Sequence, residues 1–308
     1  MGSTAHLVLL GPRTLLDSAR TRLFDLDARW SRFLPDSEIS RLNAAAGGPP
    51  VRVSADTVAV LQVAVDAWTL TGGRYDPTVL PALTASGYDR TFEEVARDGE
   101  PTVELALPTP GCTGIEIDPD RLTVRLPTGS AVDLGGIGKG FAADLLTAEL
   151  LEQGAAGACV NLGGDVRCAG DVPEAGGWVV AIADELDPSR SIATVALHTG
   201  AVATSTSLRR RWRRGGTEMH HLIDPRTGQP CRGDLAAVSV IAAEAHWAEV
   251  FAKAAFIAGG SSGQRLLADH GLAGLLRDTA GGVHPCGNWK DYTLWTASSG
   301  GTWPAPAG

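Results

Sequence analysis

The sequence has no apolar run of membrane-spanning length, no metal-type cysteine spacing and no excess of basic charge. The first absence excludes a transmembrane helix, which needs about 20 apolar residues in succession. The five cysteines (Cys112, Cys159, Cys168, Cys231 and Cys286) are odd in number and scattered. They read as structural thiols of a reducing compartment, not as a disulfide framework or a zinc site. A formal net charge of −9 excludes bulk attraction to nucleic acid or to an anionic membrane, which leaves only a local basic patch to hold phosphate. Ahead of Gly11-Pro12 stand five apolar residues with no Lys or Arg before them. That is too short for a signal-peptide core, so the expectation is a cytoplasmic protein with no membrane insertion.

What is present suits a globular chain of 308 residues, 44% hydrophobic and rich in turns, with 38 glycines. The length fits one domain over 1–296, built as a single body or as two closely packed subdomains, with a disordered tail over 297–308. Leu15, Ala19, Leu23, Leu26, Trp30 and Phe33 recur in steps of three and four and predict a helix. A second stripe is Val58, Leu61, Val65 and Trp68, with Ser54 as its cap and Gly72-Gly73 as its stop. Further helices are predicted from Gly138 to Glu152, His246 to Ala258 and Ser262 to His270. Alternation on either side of Asp118-Pro119-Asp120 predicts a hairpin. Trp178–Ala183, Ala193–Leu197 and Ala236–Ala242 read as strands. Strands in hairpin-like groups with helices between them, and no strict βαβ alternation, predict an α+β fold with largely antiparallel sheets.

Five segments carry chemistry. Asp133-Leu-Gly-Gly-Ile-Gly-Lys-Gly140 precedes a helix, where backbone N–H groups and the helix N-terminus favour an anion and Lys139 can reach phosphate. It is neither a Walker loop nor a dinucleotide fingerprint, and alone it also reads as a tight turn. Val160-Asn-Leu-Gly-Gly-Asp-Val-Arg167 ends a strand in two glycines. Gly72-Gly-Arg-Tyr-Asp-Pro-Thr-Val79 offers the ring and hydroxyl of Tyr75 beside a turn at Asp76-Pro77. In His220-His221-Leu-Ile-Asp-Pro-Arg-Thr-Gly228 adjacent histidines on a strand face opposite sides, which excludes a metal pair. A histidine there can still take a hydroxyl proton near neutral pH. Last, His246, Glu249 and Lys253 fall on one side of a helix, where Glu249 and Lys253 also read as a surface pair.

In order, these segments resemble the ApbE family of FAD:protein FMN transferases from Met1 to about Gly282. The resemblance also takes in Met1-Gly2-Ser3, Ser31-Arg-Phe-Leu-Pro-Asp-Ser-Glu-Ile-Ser-Arg-Leu-Asn43, Ala201-Val-Ala-Thr-Ser205 and the Glu249–Lys253 helix. The composition, high in Ala, Gly and Arg, is similar to that of actinobacterial members. The resemblance implies an ApbE-type, T-fold-like architecture that holds FAD, with Mg²⁺ beside the pyrophosphate. It implies attack by a Thr or Ser hydroxyl of an acceptor flavoprotein on the FMN-side phosphorus, with release of AMP. By position, Tyr75, Asp76, Asp133, Lys139 and Lys253 are expected at the cofactor. Gly136, through its carbonyl, and Glu249 are expected at the metal. His221 is the expected base, and Asp224 a turn residue.

The chain departs from the family in three places. Glu249 and Lys253 stand where members have Asp and Thr as metal ligands, so Lys253 is expected to replace part of the ion's charge, steadied by Glu249. After Ala203-Thr204-Ser205 comes Thr206-Ser207-Leu208, followed by arginines at 209–211, 213 and 214. That run reads as a solvated loop or as a contact for an acidic acceptor or a pyrophosphate. Members are often exported, whereas no export signal is read here. Two other activities stay open beside transfer: hydrolysis of FAD to FMN and AMP, and FAD binding without catalysis.

Overall fold

The computed structural model describes residues 3–95, 97–99, 107–173 and 176–296; Met1-Gly2 and the expected tail over 297–308 lie outside them. The chain opens with β1 (Ala5–Leu10), α1 (Leu15–Trp30), α2 (Glu38–Ala44), β2 (Val51–Arg52), α3 (Ala55–Leu70) and α4 (Leu80–Ala85). β3 (Asp98–Gly99), β4 (Glu116–Asp118), β5 (Thr123–Arg125) and α5 (Gly138–Glu152) follow. Next come β6 (Gly157–Leu162), β7 (Asp165–Gly170), β8 (Trp178–Asp184), β9 (Asp187–Leu197) and β10 (Gly200–Thr206). β11 (Arg211–Arg214), β12 (Thr217–His220), β13 (Ile223–Asp224), β14 (Gln229–Pro230) and β15 (Leu235–Ala242) lead to α6 (Ala245–Ala258) and α7 (Gly260–Asp269). The last strands are β16 (Ala273–Asp278), β17 (Val283–Cys286) and β18 (Thr293–Thr296). The fold is α+β with almost wholly antiparallel pairing, as the sequence predicts.

The chain divides into two compact units. The first holds residues 24–138 and 209–231. Two of its helices, α2 and α3, begin where a serine caps them: the Ser37 hydroxyl accepts the Ser40 N–H at 3.0 Å and the Ser54 hydroxyl accepts the Thr57 N–H at 3.3 Å. β2, β5 and β4 form one small sheet, β12, β11 and β3 another, and β13 pairs with β14. An aromatic core of Tyr88, Trp212, Phe33 and Phe92 lies under the second sheet. The second part of the arginine run, Arg211–Arg214, is therefore built into this unit as β11, with Arg209 and Arg210 in the bend before it. Trp212 is buried and its Nε1–H donates to the Ser86 carbonyl at 2.7 Å. Arg211 pairs with Glu218 at 2.6 Å, and Arg213 donates to the Gly216 carbonyl at 2.8 Å.

The second unit holds residues 3–23, 139–208 and 232–308, of which the described ones form a seven-stranded sheet in the order β1-β6-β7-β10-β15-β16-β17. β15 is buried along nearly its whole length, as a strand covered on both faces must be. α6 packs on β10 and β15, and α7 on β16. A three-stranded sheet, β18-β9-β8, closes the core with Trp178, Ile182, Val195 and Leu197. β6 and β7 form a hairpin with Leu162 opposite Asp165. Its two turn residues, Gly163 at φ 66° and Gly164 at φ 102°, have the left-handed backbone that a two-residue hairpin of this twist demands.

Candidate functional site

Three sequence motifs meet within the first unit at Val132-Asp133. Asn43, near the end of α2, matches the Val132 backbone twice: its amide donates to the Val132 carbonyl at 2.9 Å and its carbonyl accepts the Val132 N–H at 2.8 Å. The Asp133 N–H donates to the Pro77 carbonyl at 2.8 Å. Asp133 Oδ1 accepts the Gly135 N–H at 2.9 Å, which folds the start of the glycine segment around the carboxylate. Oδ2 lies 3.5 Å from Arg32 Nε. The Arg32 side chain is only 7% exposed; its guanidinium lies 4.2 Å from the Phe33 ring centre and 4.6 Å from that of Tyr88, and it donates to the Tyr88 carbonyl at 2.8 Å. Gly136 is buried in the following turn.

Asp76 is 5% exposed and both of its oxygens have donors. Oδ1 takes the Thr78 N–H at 2.8 Å and the Thr78 hydroxyl at 2.7 Å. Oδ2 takes the Thr109 hydroxyl, and the Thr109 N–H donates to the Pro225 carbonyl at 2.8 Å. Thr109 thus ties the Tyr75-Asp76 loop to the Asp224-Pro225 hairpin. Tyr75 is 1% exposed, and its N–H donates to the Thr71 hydroxyl at 3.1 Å. The Asp76 carboxylate orders this loop, and the Tyr75 ring lies in the interior.

The histidine pair splits into two environments. His220 ends β12 with Nε2 2.8 Å from the Cys231 carbonyl and Nδ1 accepting the Leu222 N–H at 3.3 Å. The second bond needs an unprotonated Nδ1, so the ring is the neutral Nε2–H tautomer. Burial drives its pKa below the usual value, more than the Cys231 carbonyl raises it. His221 stands at the bend that follows, partly buried, just before β13. Asp224 Oδ1 accepts the Arg226 N–H at 3.0 Å, and Arg226 clamps both carboxylate oxygens at 3.0 and 2.8 Å. Burial raises the Asp224 pKa, but these bonds and the Arg226 charge outweigh it and hold the carboxyl below its usual range. Asp224 is therefore the turn residue expected of it.

The second unit brings Lys139, Asp165 and Glu249 together. Lys139 Nζ pairs with Asp165 Oδ2 and lies 3.1 Å from Glu249 Oε1. Glu249 Oε2 accepts the Gly140 N–H at 2.8 Å, in the first turn of α5. Asp165 Oδ1 lies 3.4 Å from the Thr204 amide nitrogen. Gly140 is required here: a Cβ on it would stand 2.5 Å from the Ala245 carbonyl oxygen. Only a glycine lets α5 come close enough for Glu249 to cap it. Below this contact, Asp144 of α5 accepts the N–H groups of Ala245 at 2.8 Å and His246 at 3.0 Å and the His246 ring at 2.7 Å, and it pairs with Arg167 at 3.1 Å. Lys253, one turn beyond Glu249, is partly buried.

A magnesium ion does not fit the residues as they are arranged. Both Glu249 oxygens have donors, and an ammonium already stands between the two carboxylates. Among the described residues no group of three or more His, Cys, Asp or Glu side chains is disposed to hold a metal.

Sequence reasoning did not single out Arg32, Asn43, Asp144 and Asp165, which hold these segments in place. Three of them lie inside the motif strings, and Arg32-Phe33, Leu42-Asn43 and Gly164-Asp165 were the available signals. Asp144 had none, because Ala245 and His246, whose N–H groups it accepts, lie about a hundred residues away in the chain.

The ApbE family model matches residues 1–276. The chain is 30% identical over 252 residues to an FAD:protein FMN transferase of Vibrio cholerae, covering 78% of this chain and 74% of that one. It is 29% identical over 276 residues to an FAD:protein FMN transferase of Haemophilus influenzae, covering 84% and 79%. An ApbE protein from Thermotoga maritima superposes with a TM-score of 0.80 at 26% identity, covering 94% of each chain. The apo flavinyl transferase of Pseudomonas stutzeri has the same fold, with a TM-score of 0.81 at 24% identity, covering 94% of this chain and 93% of that one. No helix among the described residues is long and apolar enough to cross a membrane.

Proposed function

This chain belongs to the ApbE family, and we propose that it is an FAD:protein FMN transferase that moves the FMN half of FAD to a Thr or Ser hydroxyl of an acceptor flavoprotein. The observation that carries this reading is the convergence of Asn43, Arg32 and the Pro77 carbonyl on Val132-Asp133. Two separate motifs fix the entry to one glycine segment, and such ordering suits a loop whose backbone must meet a ligand. The segment then enters α5, whose N-terminus favours an anion such as pyrophosphate.

In the proposed reaction the acceptor hydroxyl oxygen attacks the FMN-side phosphorus. A new P–O bond forms, the P–O bond to the AMP half breaks, and AMP leaves with the bridging oxygen. The hydroxyl proton passes to a base. His221 is the base we assign, because an imidazole can take a hydroxyl proton near neutral pH; the neighbouring His220 holds backbone partners on both nitrogens. Asp133 shapes the phosphate-facing turn through Gly135, and Asp76 orders the Tyr75 loop. Lys139 and Lys253 are the cationic side chains we assign to the nucleotide. Members of the family take Mg²⁺ beside the pyrophosphate. Here Lys139, paired with Glu249, holds a positive charge at that acidic pair, and no step is assigned to an ion at Glu249 or Gly136. Five free thiols suit a reducing cytoplasm.

Calorimetry with FAD, followed by chromatography for AMP, tests the reading. FAD binding is expected, with AMP released only when an acceptor is present. His221→Ala should keep FAD affinity and lose roughly 10²–10⁴-fold in turnover, the usual worth of a positioned base. AMP and free FMN without acceptor would make the chain a hydrolase, and bound but unchanged FAD would make it a binding module.

A further inference from the structure

The transfer chemistry leaves Cys159 and Cys168 without a role, yet the fold sets them face to face. They are directly opposite on β6 and β7, and their sulfurs are 3.3 Å apart. Facing residues on antiparallel strands have Cα atoms about 4.5 or 5.5 Å apart, and both values lie inside the range a disulfide spans. The pair belongs to a row that crosses the sheet: Val8 on β1 faces Cys159, and Gly200 on β10 faces Cys168. Val8, on the edge strand, is 54% exposed, so the row is open to solvent at the Cys159 end. Cys168 is fully buried in the core, and Gly200 adds no side chain beside it.

We propose that Cys159 and Cys168 are a redox pair that a hydroperoxide converts to a cross-strand disulfide. Cys159 attacks first. Its thiolate takes the terminal peroxide oxygen, an S–O bond forms, the O–O bond breaks, and the released oxygen leaves as water from hydrogen peroxide or as an alcohol from an organic hydroperoxide. Cys168 then attacks the Cys159 sulfur, an S–S bond forms and a second water leaves. Two thiols and one hydrogen peroxide thus give one disulfide and two waters. The division of roles follows from the contact: the Cys168 S–H points at the Cys159 sulfur, which holds the Cys159 pKa down and the Cys168 pKa up. Cys112 and Cys286 face no second thiol in this way, and burial pushes both up, Cys286 to about 11 although a Gly274 backbone hydrogen bond pulls it down. They are internal controls. The disulfide would staple the hairpin whose turn leads into Asp165, one of the two carboxylates on Lys139.

The test uses the full chain, hydrogen peroxide, and alkylation in denaturant without reductant, read by peptide mass spectrometry. Expected is the loss of two of the five alkylatable thiols, with the Cys159 and Cys168 peptides joined and lighter by two hydrogens. A thiol reductant should restore both. In Cys168→Ala, Cys159 should stop at the sulfenic acid and be trapped by a cyclic dione. The idea is overturned if both residues stay alkylatable while Cys112 or Cys286 oxidises, if all five thiols survive, or if the only crosslinks join other cysteines. The wild-type measurement decides the matter even if the variant fails to fold.

Discussion

Asp144 and Glu249 cap each other's helices. Asp144 lies on α5 and accepts the first N–H groups of α6, while Glu249 lies on α6 and accepts the Gly140 N–H of α5. Each carboxylate sits where a helix N-terminus leaves donors unsatisfied and adds favourable charge to the dipole. Asp144→Ala would orphan the Ala245 and His246 N–H groups and leave Arg167 without this carboxylate. A loss of about 2–4 kcal/mol in urea unfolding is expected, with Asp144→Asn intermediate. A loss below about 0.5 kcal/mol would mean that water caps α6 equally well.

Asn43 should matter to ligand binding through the Val132 backbone it holds. Asn43→Ala deletes two bonds to Val132, together worth about 1–3 kcal/mol. Part of that is expected to appear as weaker FAD binding, about tenfold, since each tenfold is about 1.4 kcal/mol. Calorimetry checks it; unchanged affinity in a folded variant would mean that the Val132-Asp133 entry does not position the ligand.

Lys139 neutralises two carboxylates at once, and it is one of only three lysines in the chain. Mn²⁺ alone, followed by paramagnetic resonance, is expected to bind the ligand-free protein weakly. Lys139→Met leaves Asp165 and Glu249 without their ammonium and should tighten Mn²⁺ binding by about tenfold or more, as expected for oxygen donors with an uncompensated charge. Tight binding in the wild type, or no gain in Lys139→Met, would contradict the view that Lys139 holds the place of the cation.

The pH dependence of stability has a definite sign at His220. Burial puts its folded pKa below the ordinary 6.5, so the unfolded chain takes the proton first. Its contribution is complete above about pH 6.5 and is lost as pH falls from there through the lower folded value. Thermal unfolding between about pH 8 and 5 should show a decline that is smaller in His220→Gln, whose amide can also donate and accept. Equal slopes in both proteins would remove His220 from the account.

Helices and strands with room for a period were legible in the sequence: α3 begins after Ser54, α5 runs from Gly138 to Glu152, and β15 differs from its expected start by one residue. α2, with seven residues, is too short for a 3.6-residue period to show, and only its Ser37 cap marks it. β9 starts at Asp187, six residues before the apolar run, because pairing with β8 carries polar residues into the strand. The arginine run reads as a loop by charge; Arg209 and Arg210 do lie in a bend, while Arg211–Arg214 form strand β11, anchored by Trp212. For the site, the motifs were visible but not their partners. Local spacing points to Lys253 as a cation for Glu249, and the fold also brings Lys139 to Glu249 from 110 positions away, which no local spacing shows.

The most direct test of the account is the intact mass of an acceptor flavoprotein after incubation with this protein and FAD, compared with the same mixture containing His221→Ala. The account predicts that the acceptor gains one FMN as a phosphodiester on a Thr or Ser, that AMP appears in equal amount, and that His221→Ala forms the adduct roughly a hundredfold or more slowly. An acceptor of unchanged mass beside accumulating AMP and FMN, or full adduct formation by His221→Ala, would contradict it.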